Sequence, residues 1–273
     1  MPREKNDHYE SIATSSEEIV RACRQSIEDE DNRDSLAVVH YRGGKTEFDL
    51  GCKYASSDDP LDRVTGAYIL SQLGWGDDTF HDESVDILLR LATDKDERVI
   101  VDAVYALGHR KSPRGIPVIL PLIDHTNVDI RQAAVSGLTC QDDPAAIQGL
   151  IRLANDENRD VRNWAAFGLG TMTDVDSSEL RNALAPLLED SDPEIRGEAM
   201  IGLAKRHDPR ALPAVIRELE GEFHGDWCLE AAEFLADPQL LPLLEQLRDS
   251  IPASTPASHF QYLEGAIAAC AKK

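Results

Sequence analysis

The first chemistry that the sequence suggests is metal binding by three side chains near its C-terminal end. His224, Asp226 and Cys228 lie at two-residue spacing and offer the nitrogen, oxygen and sulfur ligands that zinc accepts. Such residues in one turn between helices are more often solvated or buried separately, so we expect no metal ion there. The eight histidines form no His-Glu-x-x-His motif, which would place two imidazoles and a carboxylate on one helix face.

Motifs for covalent or nucleotide chemistry are missing from the sequence. It has no Gly-x-Ser-x-Gly segment, no Gly-x-x-x-x-Gly-Lys-Ser/Thr phosphate loop and no Gly-x-Gly-x-x-Gly turn. Gly43-Gly44 stands alone, and we predict a helix end there because glycine tolerates positive φ. We therefore predict a non-enzymatic protein without a cofactor. Five cysteines form no Cys-x-x-Cys pair and are predicted to be free thiols: Cys23, Cys52, Cys140, Cys228 and Cys270.

The charge balance favours a basic protein as partner over a nucleic acid. Asp and Glu number 50 against 28 Lys and Arg, so the formal net charge is -22 and the isoelectric point is about 4.6. Nucleic-acid phosphates are bound mainly by Lys and Arg, which are in the minority here. The field of so acidic a chain attracts basic proteins instead.

No segment of the sequence is suited to crossing a membrane. A bilayer requires roughly 18 to 20 apolar residues, whereas the apolar stretch 116–123 is short and contains two prolines. Residues 1–11 are polar and lack the basic and apolar regions of a secretory signal. We therefore predict a cytoplasmic protein that does not contact membranes.

The elements that would position functional side chains repeat along the chain. Five segments superpose without gaps on one small residue, and three weaker copies bring the total to eight, spaced 31 to 36 residues apart. Val161, Ala165 and Leu169 fall at i, i+4 and i+8, which is the apolar stripe of a helix. The aligned positions are Leu36, Ala67, Ala103, Ala134, Ala165, Ala199, Ala231 and Ala266.

A second amphipathic segment precedes each of these helices. Asp-Pro dipeptides at 143–144, 208–209 and 237–238 predict helix starts, since Asp caps free N–H groups and Pro fits the first helical position. One helix-turn-helix unit cannot bury its apolar face alone, so the copies must stack. We predict an all-α fold, an α-solenoid of about eight repeats over residues 16–273, preceded by a polar arm at 1–15.

These residues resemble the short type of HEAT repeat, also called the phycobilisome-lyase HEAT-like repeat. The resemblance rests on Asp-Ile-Arg at 129–131, Asp-Val-Arg at 160–162 and Glu-Ile-Arg at 194–196, each followed by Ala three residues after the Arg. Residues 160–203 look especially similar to single-domain bacterial proteins of the YibA type. Because the family serves mainly as protein-binding scaffolds, the resemblance implies a HEAT-repeat scaffold over nearly the whole chain.

The resemblance also implies structural roles for the signature residues. In the family, the arginine and the acidic residue two positions before it form a ladder between adjacent repeats. Arg33 occupies the arginine column less securely, and Val64, Ile100, Cys228 and Leu263 replace it elsewhere, so we expect the ladder to be interrupted toward both ends. The predicted ladder residues are Asp129, Arg131, Asp160, Arg162, Glu194 and Arg196.

The enzymatic branches of the family find little support in this sequence. HEAT-repeat iron hydroxylases use His-Glu pairs, and this chain contains no His-Glu dipeptide. HEAT-like DNA glycosylases need a basic concave face, and the corresponding columns here carry acidic residues. The alternative that stays open is a lyase-like protein that acts on or carries a chromophore, or modifies a protein.

In each second helix, the residue before the aligned position and the residue two after it lie three apart, on one face and off the main apolar stripe. These positions form a candidate binding surface. Second helices line the concave side of HEAT-type solenoids, so the resemblance implies an aromatic patch beside an acidic wall. Trp164 and Phe167 either anchor a partner or pack between repeats. The predicted partner-binding residues are Asp102, Tyr105, Trp164, Phe167, Glu198, Ile201, Glu230 and Glu233.

The sequence therefore predicts a protein that binds a basic protein on an acidic concave face. The acidic excess is densest at residues 215–251, which contain nine acidic and two basic residues, and such a field speeds encounter with a basic partner. YibA-type proteins are associated with polymorphic toxin systems. The resemblance thus implies an immunity or antitoxin protein that covers the basic surface of a toxin domain, such as a nuclease, with carboxylates.

Overall fold

The structure, a computed structural model, confirms the predicted all-α fold. It describes residues 12–26, 36–74, 79–221, 225–252 and 255–272, and these contain sixteen α-helices and no strand. Most of the predicted polar arm, together with Arg33 and His224, lies outside the described residues. The chain divides into two compact units, Met1–Gln141 and Asp142–Lys273, which are treated separately below.

The first unit contains four helical pairs. The last pair is irregular because Pro113, Pro117 and Pro121 each remove a backbone N–H donor, so α7 is flanked by 3-10 turns at Pro113–Gly115 and Leu120–Asp124. The helices are α1 (Ser16–Ser26), α2 (Ala37–Arg42), α3 (Lys45–Ala55), α4 (Pro60–Ser71), α5 (His81–Leu91), α6 (Glu97–Arg110), α7 (Ile116–Ile119) and α8 (Val128–Leu138).

The second unit also contains four helical pairs. A 3-10 turn at Pro238–Leu240 leads into the first helix of its last pair. The helices are α9 (Pro144–Leu153), α10 (Arg159–Gly170), α11 (Ser178–Leu187), α12 (Pro193–Lys205), α13 (Ala211–Leu219), α14 (Asp226–Leu235), α15 (Leu241–Ser250) and α16 (Ala257–Cys270).

Helix starts follow the predicted capping chemistry at most, but not all, of the Asp-Pro dipeptides. Asp143 accepts a hydrogen bond from the Ala145 N–H, and Pro144 is the first residue of α9. Asp237 caps the 3-10 turn before α15 in the same way. Asp208 instead binds both the backbone N–H and the guanidinium of Arg210, so α13 begins only at Ala211. Gly43 ends α2 at a φ of 54°, as predicted for the glycine pair.

Second helices pack directly on one another within each unit, whereas successive first helices meet at few points. Glycines permit this approach: a Cβ atom on Gly202 of α12 would lie 2.6 Å from the Cα of Gly170 on α10. The aligned alanines of the repeats are buried in this row. The row of second helices is thus the tighter side of each unit, and its solvent-facing surface is called the second-helix face below.

An arginine ladder links successive repeats, but its acidic partners are not those expected from the family signature. The Nε atom of Arg162 donates to Asp190, in the loop before the next second helix, at 3.2 Å. Arg196 donates in the same way to Glu218 of the next repeat at 3.1 Å. The signature acid Asp160 pairs with its neighbour Arg159 instead, and the signature acid Glu194 connects two repeats but also through Arg159. The prediction was wrong because the loop acid lies beside the guanidinium, whereas an acid two positions before the arginine points to another side of the helix.

A ladder arginine also occurs nearer the N-terminus than predicted, beyond the interruption at Ile100. Arg63 donates to the carboxylate of Asp94 with Nε at 2.8 Å and Nη2 at 2.9 Å, so this repeat has a ladder arginine where Val64 was expected to interrupt it. Helix α4 comes closest to α3 at Gly66, where a Cβ atom would lie 2.3 Å from the backbone N of Ala55. The register of this copy therefore starts one residue earlier.

Ladder arginines also donate hydrogen bonds to backbone carbonyls of their own repeat. The Nη1 atom of Arg162 donates to the carbonyls of Asp156 and Glu157, which end the turn between the two helices of the pair. Arg131 donates to the equivalent carbonyls of His125 and Thr126. One guanidinium thus satisfies turn carbonyls that no helix N–H can reach.

Candidate protein-binding surface

The aromatic residues on α10 lie at the surface. The exposed fraction of Trp164 is 51%, and Phe167, one helical turn further on, is partly exposed. Their ring centroids are 5.7 Å apart at an interplanar angle of 88°, which is the edge-to-face arrangement that aromatic pairs favour. Trp164 therefore belongs to the second-helix face of the second unit and not to its core.

Ile201 does not belong to that face, so this part of the predicted site is wrong. Its exposed fraction is 2%. Helix α12 packs between α10 and α14, with a close backbone contact at Gly170 and Gly202. Ile201 is a core residue for that reason.

Glu198 lies on the second-helix face but is engaged inside the unit. Its carboxylate accepts a hydrogen bond from the hydroxyl of Thr171 at 2.7 Å, and the indole N–H of Trp227 also hydrogen-bonds to it. Burial raises the pKa of Glu198 above its ordinary value, although these hydrogen bonds act in the opposite direction. Glu198 thus ties α12 to the end of α10 and to α14, and only part of it is open to a partner.

Trp227 is a residue of this region that sequence reasoning missed. Its indole ring lies against Gly197, where a Cβ atom would stand 2.5 Å from the ring. The spacing of Gly197 and Trp227, 30 residues apart, is close to one repeat and was the available signal.

Glu230 and Glu233 form the most open acidic part of the face. They lie one turn apart on α14, Glu233 exposed and Glu230 partly so. Within the described residues neither carboxylate has a hydrogen bond or an ion pair. Burial raises the pKa of Glu230, and the charge of Glu233 adds to this effect, while the charge of Lys205 opposes it. Both carboxylates are available to a positively charged group.

A groove, called the C-terminal groove below, lies beside these carboxylates between α14 and α16. Its volume is about 570 Å³. Phe234 and Tyr262 line it with exposed fractions of 38% and 39%, and sequence reasoning missed both. The complete lining is Glu230, Glu233, Phe234, Ala236, Tyr262, Ala269 and Lys272.

Asp102 and Tyr105 lie on α6 in the first unit, where both are partly buried. Burial raises the pKa of Tyr105, and the carboxylates of Asp129 and Asp102 add to the shift. The signature acid Asp129 therefore acts electrostatically on the second-helix face of the first unit. These residues form a separate acidic surface on that unit.

Several arginines of the second unit turn inward and leave the acidic residues outside. Arg206 is buried and donates to carbonyls at the end of α10 and beyond it, among them Leu169 at 3.1 Å, Thr173 at 3.0 Å and Val175 at 2.9 Å. It also donates to Gly202 of its own helix at 2.7 Å. A cation at a helix C-terminus stabilises the helix dipole. Such arginines contribute little positive charge to the surface that a partner meets.

The residues considered for metal binding do not converge in the described part of the chain. Asp226 is hydrogen-bonded to the Nδ1 atom of His259 at 2.6 Å, whereas the thiol of Cys228 donates to the Gly225 carbonyl at 3.1 Å. Burial raises the pKa of Cys228 to about 12, so the thiol stays protonated. The described ranges contain no cluster of three potential metal ligands and no helix long and apolar enough to cross a membrane.

Comparison with known proteins assigns the repeats to a family. The family model described as HEAT repeats matches residues 52–139, 87–170 and 147–222. The chain belongs to the HEAT-repeat family. The chain is 34% identical to protein YibA of Escherichia coli K12 over 220 residues, which cover 78% of each protein.

Two solved structures superpose on this fold. The X-ray structure of Escherichia coli YibA superposes with a TM-score of 0.73 at 27% identity, covering 100% of this chain and 98% of that one. The archaeal HEAT-like repeats protein of Thermococcus onnurineus NA1 superposes with a TM-score of 0.53 at 14% identity, covering 82% of this chain and 95% of its own. The second similarity concerns the fold alone.

Proposed function

We propose that this HEAT-repeat protein binds a basic protein through the second-helix face of its second unit. The observation that carries the proposal is the division of charge in that unit. Arg162, Arg196 and Arg206 donate inward to carboxylates of the next repeat or to backbone carbonyls. Glu230 and Glu233 face outward and form no hydrogen bond or ion pair with other described residues. A basic partner can therefore pair with both carboxylates.

The aromatic side chains of the same face support a protein partner over a small ion. Trp164 is half exposed and is held edge-to-face by Phe167. Tryptophan and tyrosine are enriched among the residues that dominate binding energy in protein interfaces, where charged groups often surround them. Such a face provides apolar anchors for affinity, while its carboxylates select basic partners and accelerate encounter.

We propose further that the partner is a basic toxin domain and that the protein acts as its immunity protein. Similarity to YibA and the acidic face support this form of the proposal. A nuclease domain must hold phosphates with Lys and Arg, so a surface of carboxylates competes for the same groups. Neutralisation then requires only binding, with no catalytic residue.

The direct test is complex formation with the products of neighbouring genes. Each product is purified and titrated with the full chain by isothermal titration calorimetry at two salt concentrations. We expect a basic product to bind, with an affinity that falls as salt screens the charges. Binding only to neutral or acidic products, or an affinity independent of salt, would contradict the proposal.

The immunity form has its own test in cells. The basic product is expressed from an inducible promoter with and without this protein, and growth is followed. We expect growth arrest that co-expression relieves. A partner that binds in the calorimeter but has no effect on growth would retain the binding function and exclude the immunity role.

A further inference from the structure

The C-terminal groove combines three features that the proposed function does not require together. Two carboxylates, Glu230 and Glu233, stand on one wall. The partly exposed rings of Phe234 and Tyr262 stand beside them on α14 and α16. The groove also lies where both helices end, since α14 ends at Leu235 and α16 at Cys270.

The helix ends add to the negative potential of the groove. The last carbonyls of a helix lack intrahelical donors and carry the negative end of its dipole. Ala236, which follows the last residue of α14, has a φ of 49° in the left-handed region and lines the groove. Carboxylates and carbonyl ends therefore act on the same occupant, and both favour a cation.

The carboxylate of Glu233 packs against α16 at the edge of the groove. Gly265 of α16 lies opposite this carboxylate, and a Cβ atom there would stand 2.8 Å from its Oε2 atom. A larger residue would collide with the carboxylate, so the glycine allows Glu233 to lie against this helix. Tyr262 lies one turn before this glycine and presents its ring to the same space.

We infer that the C-terminal groove receives an arginine side chain from a basic segment of the partner, with the guanidinium paired to Glu230 and Glu233 and stacked on the aromatic wall. This inference rests on the proposed function, because it assumes that the partner is a basic protein. It deepens that function by naming the side chain recognised and the place where it binds.

Arginine fits this lining better than lysine for geometric reasons. The guanidinium is planar, pairs with carboxylates through two parallel N–H donors and stacks on aromatic faces. A lysine ammonium forms ion pairs with the carboxylates but gains less from Phe234 and Tyr262. The groove therefore discriminates between two cations of equal charge.

Lys272 is the basic residue in the lining of the C-terminal groove. It lines the same groove and brings a positive charge to its edge. This charge opposes an incoming guanidinium through like-charge repulsion. Removing it leaves the carboxylates and the aromatic wall in place, so the groove should bind arginine more tightly.

The test measures fluorescence anisotropy of the full chain with two labelled peptides that differ only in having Arg or Lys at each basic position, and with a neutral peptide. We expect the Arg peptide to bind about fivefold more tightly than the Lys peptide. E230Q/E233Q should weaken binding of the Arg peptide by about tenfold or more. The matched control E245Q/E264Q removes two exposed carboxylates outside the groove and should leave the affinity within about twofold.

Two further variants separate the parts of the groove. F234A/Y262A should abolish the preference for Arg over Lys while both peptides still bind. Lys272→Ala should tighten binding of the Arg peptide by about threefold. Circular dichroism melting of each variant identifies any loss of the fold.

The outcomes distinguish this inference from the proposed function. Equal binding of the two peptides, or equal losses in E230Q/E233Q and E245Q/E264Q, would overturn the arginine site while a general attraction for basic segments survives. Failure of both basic peptides to bind better than the neutral peptide would count against the inference and the proposed function together.

Discussion

Arg162 on α10 and Asp190 in the loop before α12 are joined by a hydrogen bond of 3.2 Å from Nε to Oδ2 that connects one repeat to the next. The same aspartate accepts a hydrogen bond from the backbone N–H of Asp192 at 2.9 Å, and its own carbonyl accepts from Arg196 at 3.0 Å. A single loop residue thus links two ladder arginines. This relationship makes the loop acid Asp190, and not the signature acid Asp160, the partner of Arg162.

Replacing the loop acid Asp190 should therefore lower the free energy of unfolding more than replacing the signature acid Asp160. Asp190→Ala removes the acceptor for Arg162 and for a backbone N–H, and we expect a loss of about 1–2 kcal/mol in the free energy of unfolding. Asp160→Ala removes an exposed carboxylate and should change it by no more than about 0.5 kcal/mol. Urea unfolding of both variants provides the measurement. A larger loss in Asp160→Ala would restore the pairing expected from the family signature.

Arg206 should be among the most important single residues for stability of the second unit. Arg206→Ala leaves buried carbonyls of Leu169, Thr173 and Val175 without this donor, which costs about 3 kcal/mol. Arg217→Ala is the control, because its guanidinium is about half exposed and pairs with an exposed glutamate. Equal losses in the two variants, measured by urea unfolding, would show that the inward orientation of Arg206 contributes nothing.

The close contact of Gly170 and Gly202 predicts that a methyl group cannot be added there. Gly202→Ala has the better helix propensity, worth about 1 kcal/mol in an exposed helix. The new Cβ atom would nevertheless lie 2.6 Å from the Cα of Gly170, and we expect a net loss of about 1–3 kcal/mol. Thermal unfolding decides between the two effects. A rise in Tm would mean that the helices separate without cost.

The raised pKa of Glu198 predicts how stability depends on pH. A carboxyl whose pKa is higher in the folded state than in the unfolded state binds its proton more tightly when folded, so its contribution is present at low pH and is lost as pH rises through the folded pKa. E198Q is uncharged throughout and can still accept from Thr171. The Tm of E198Q relative to the original protein should therefore increase between pH 4 and pH 7. A decrease over that range would contradict the assignment.

Exposure of Trp164 predicts that its truncation affects binding more than folding. Trp164→Ala should lower the free energy of unfolding by no more than about 1 kcal/mol, because half of the side chain is already in solvent. Affinity for the basic partner should fall about tenfold if the ring anchors the interface. Calorimetry and urea unfolding of the same preparation give both values. A large loss of stability with unchanged affinity would make Trp164 a packing residue.

Much of the fold followed from local patterns in the sequence. The spacing of buried alanines and the capping residues before many of the helices are local, so they predict the helical pairs without knowledge of the neighbours. The register of the copy around Gly66 was wrong by one residue because glycine and alanine are equivalent in a pattern of small residues. Only the approach of Ala55 distinguishes them.

The binding surface was harder to predict because it depends on contacts between helices. Ile201 and Glu198 share a helix face by spacing, yet the approach of α10 buries the first and engages the second with Thr171. Phe234 and Tyr262 belong to different repeats, and only the packing of α14 against α16 brings them to one groove. The spacing of residues within one helix cannot predict that Phe234 and Tyr262 lie together.

Charge reversal in the second unit tests the central claim most directly. The Kd of the basic partner is measured by isothermal titration calorimetry for the original protein, for E230K/E233K and for the matched variant E245K/E264K, which makes the same change in net charge away from the groove. We predict a loss of about 100-fold or more in E230K/E233K and about threefold or less in the control. Equal affinities of the two variants would contradict binding through this face.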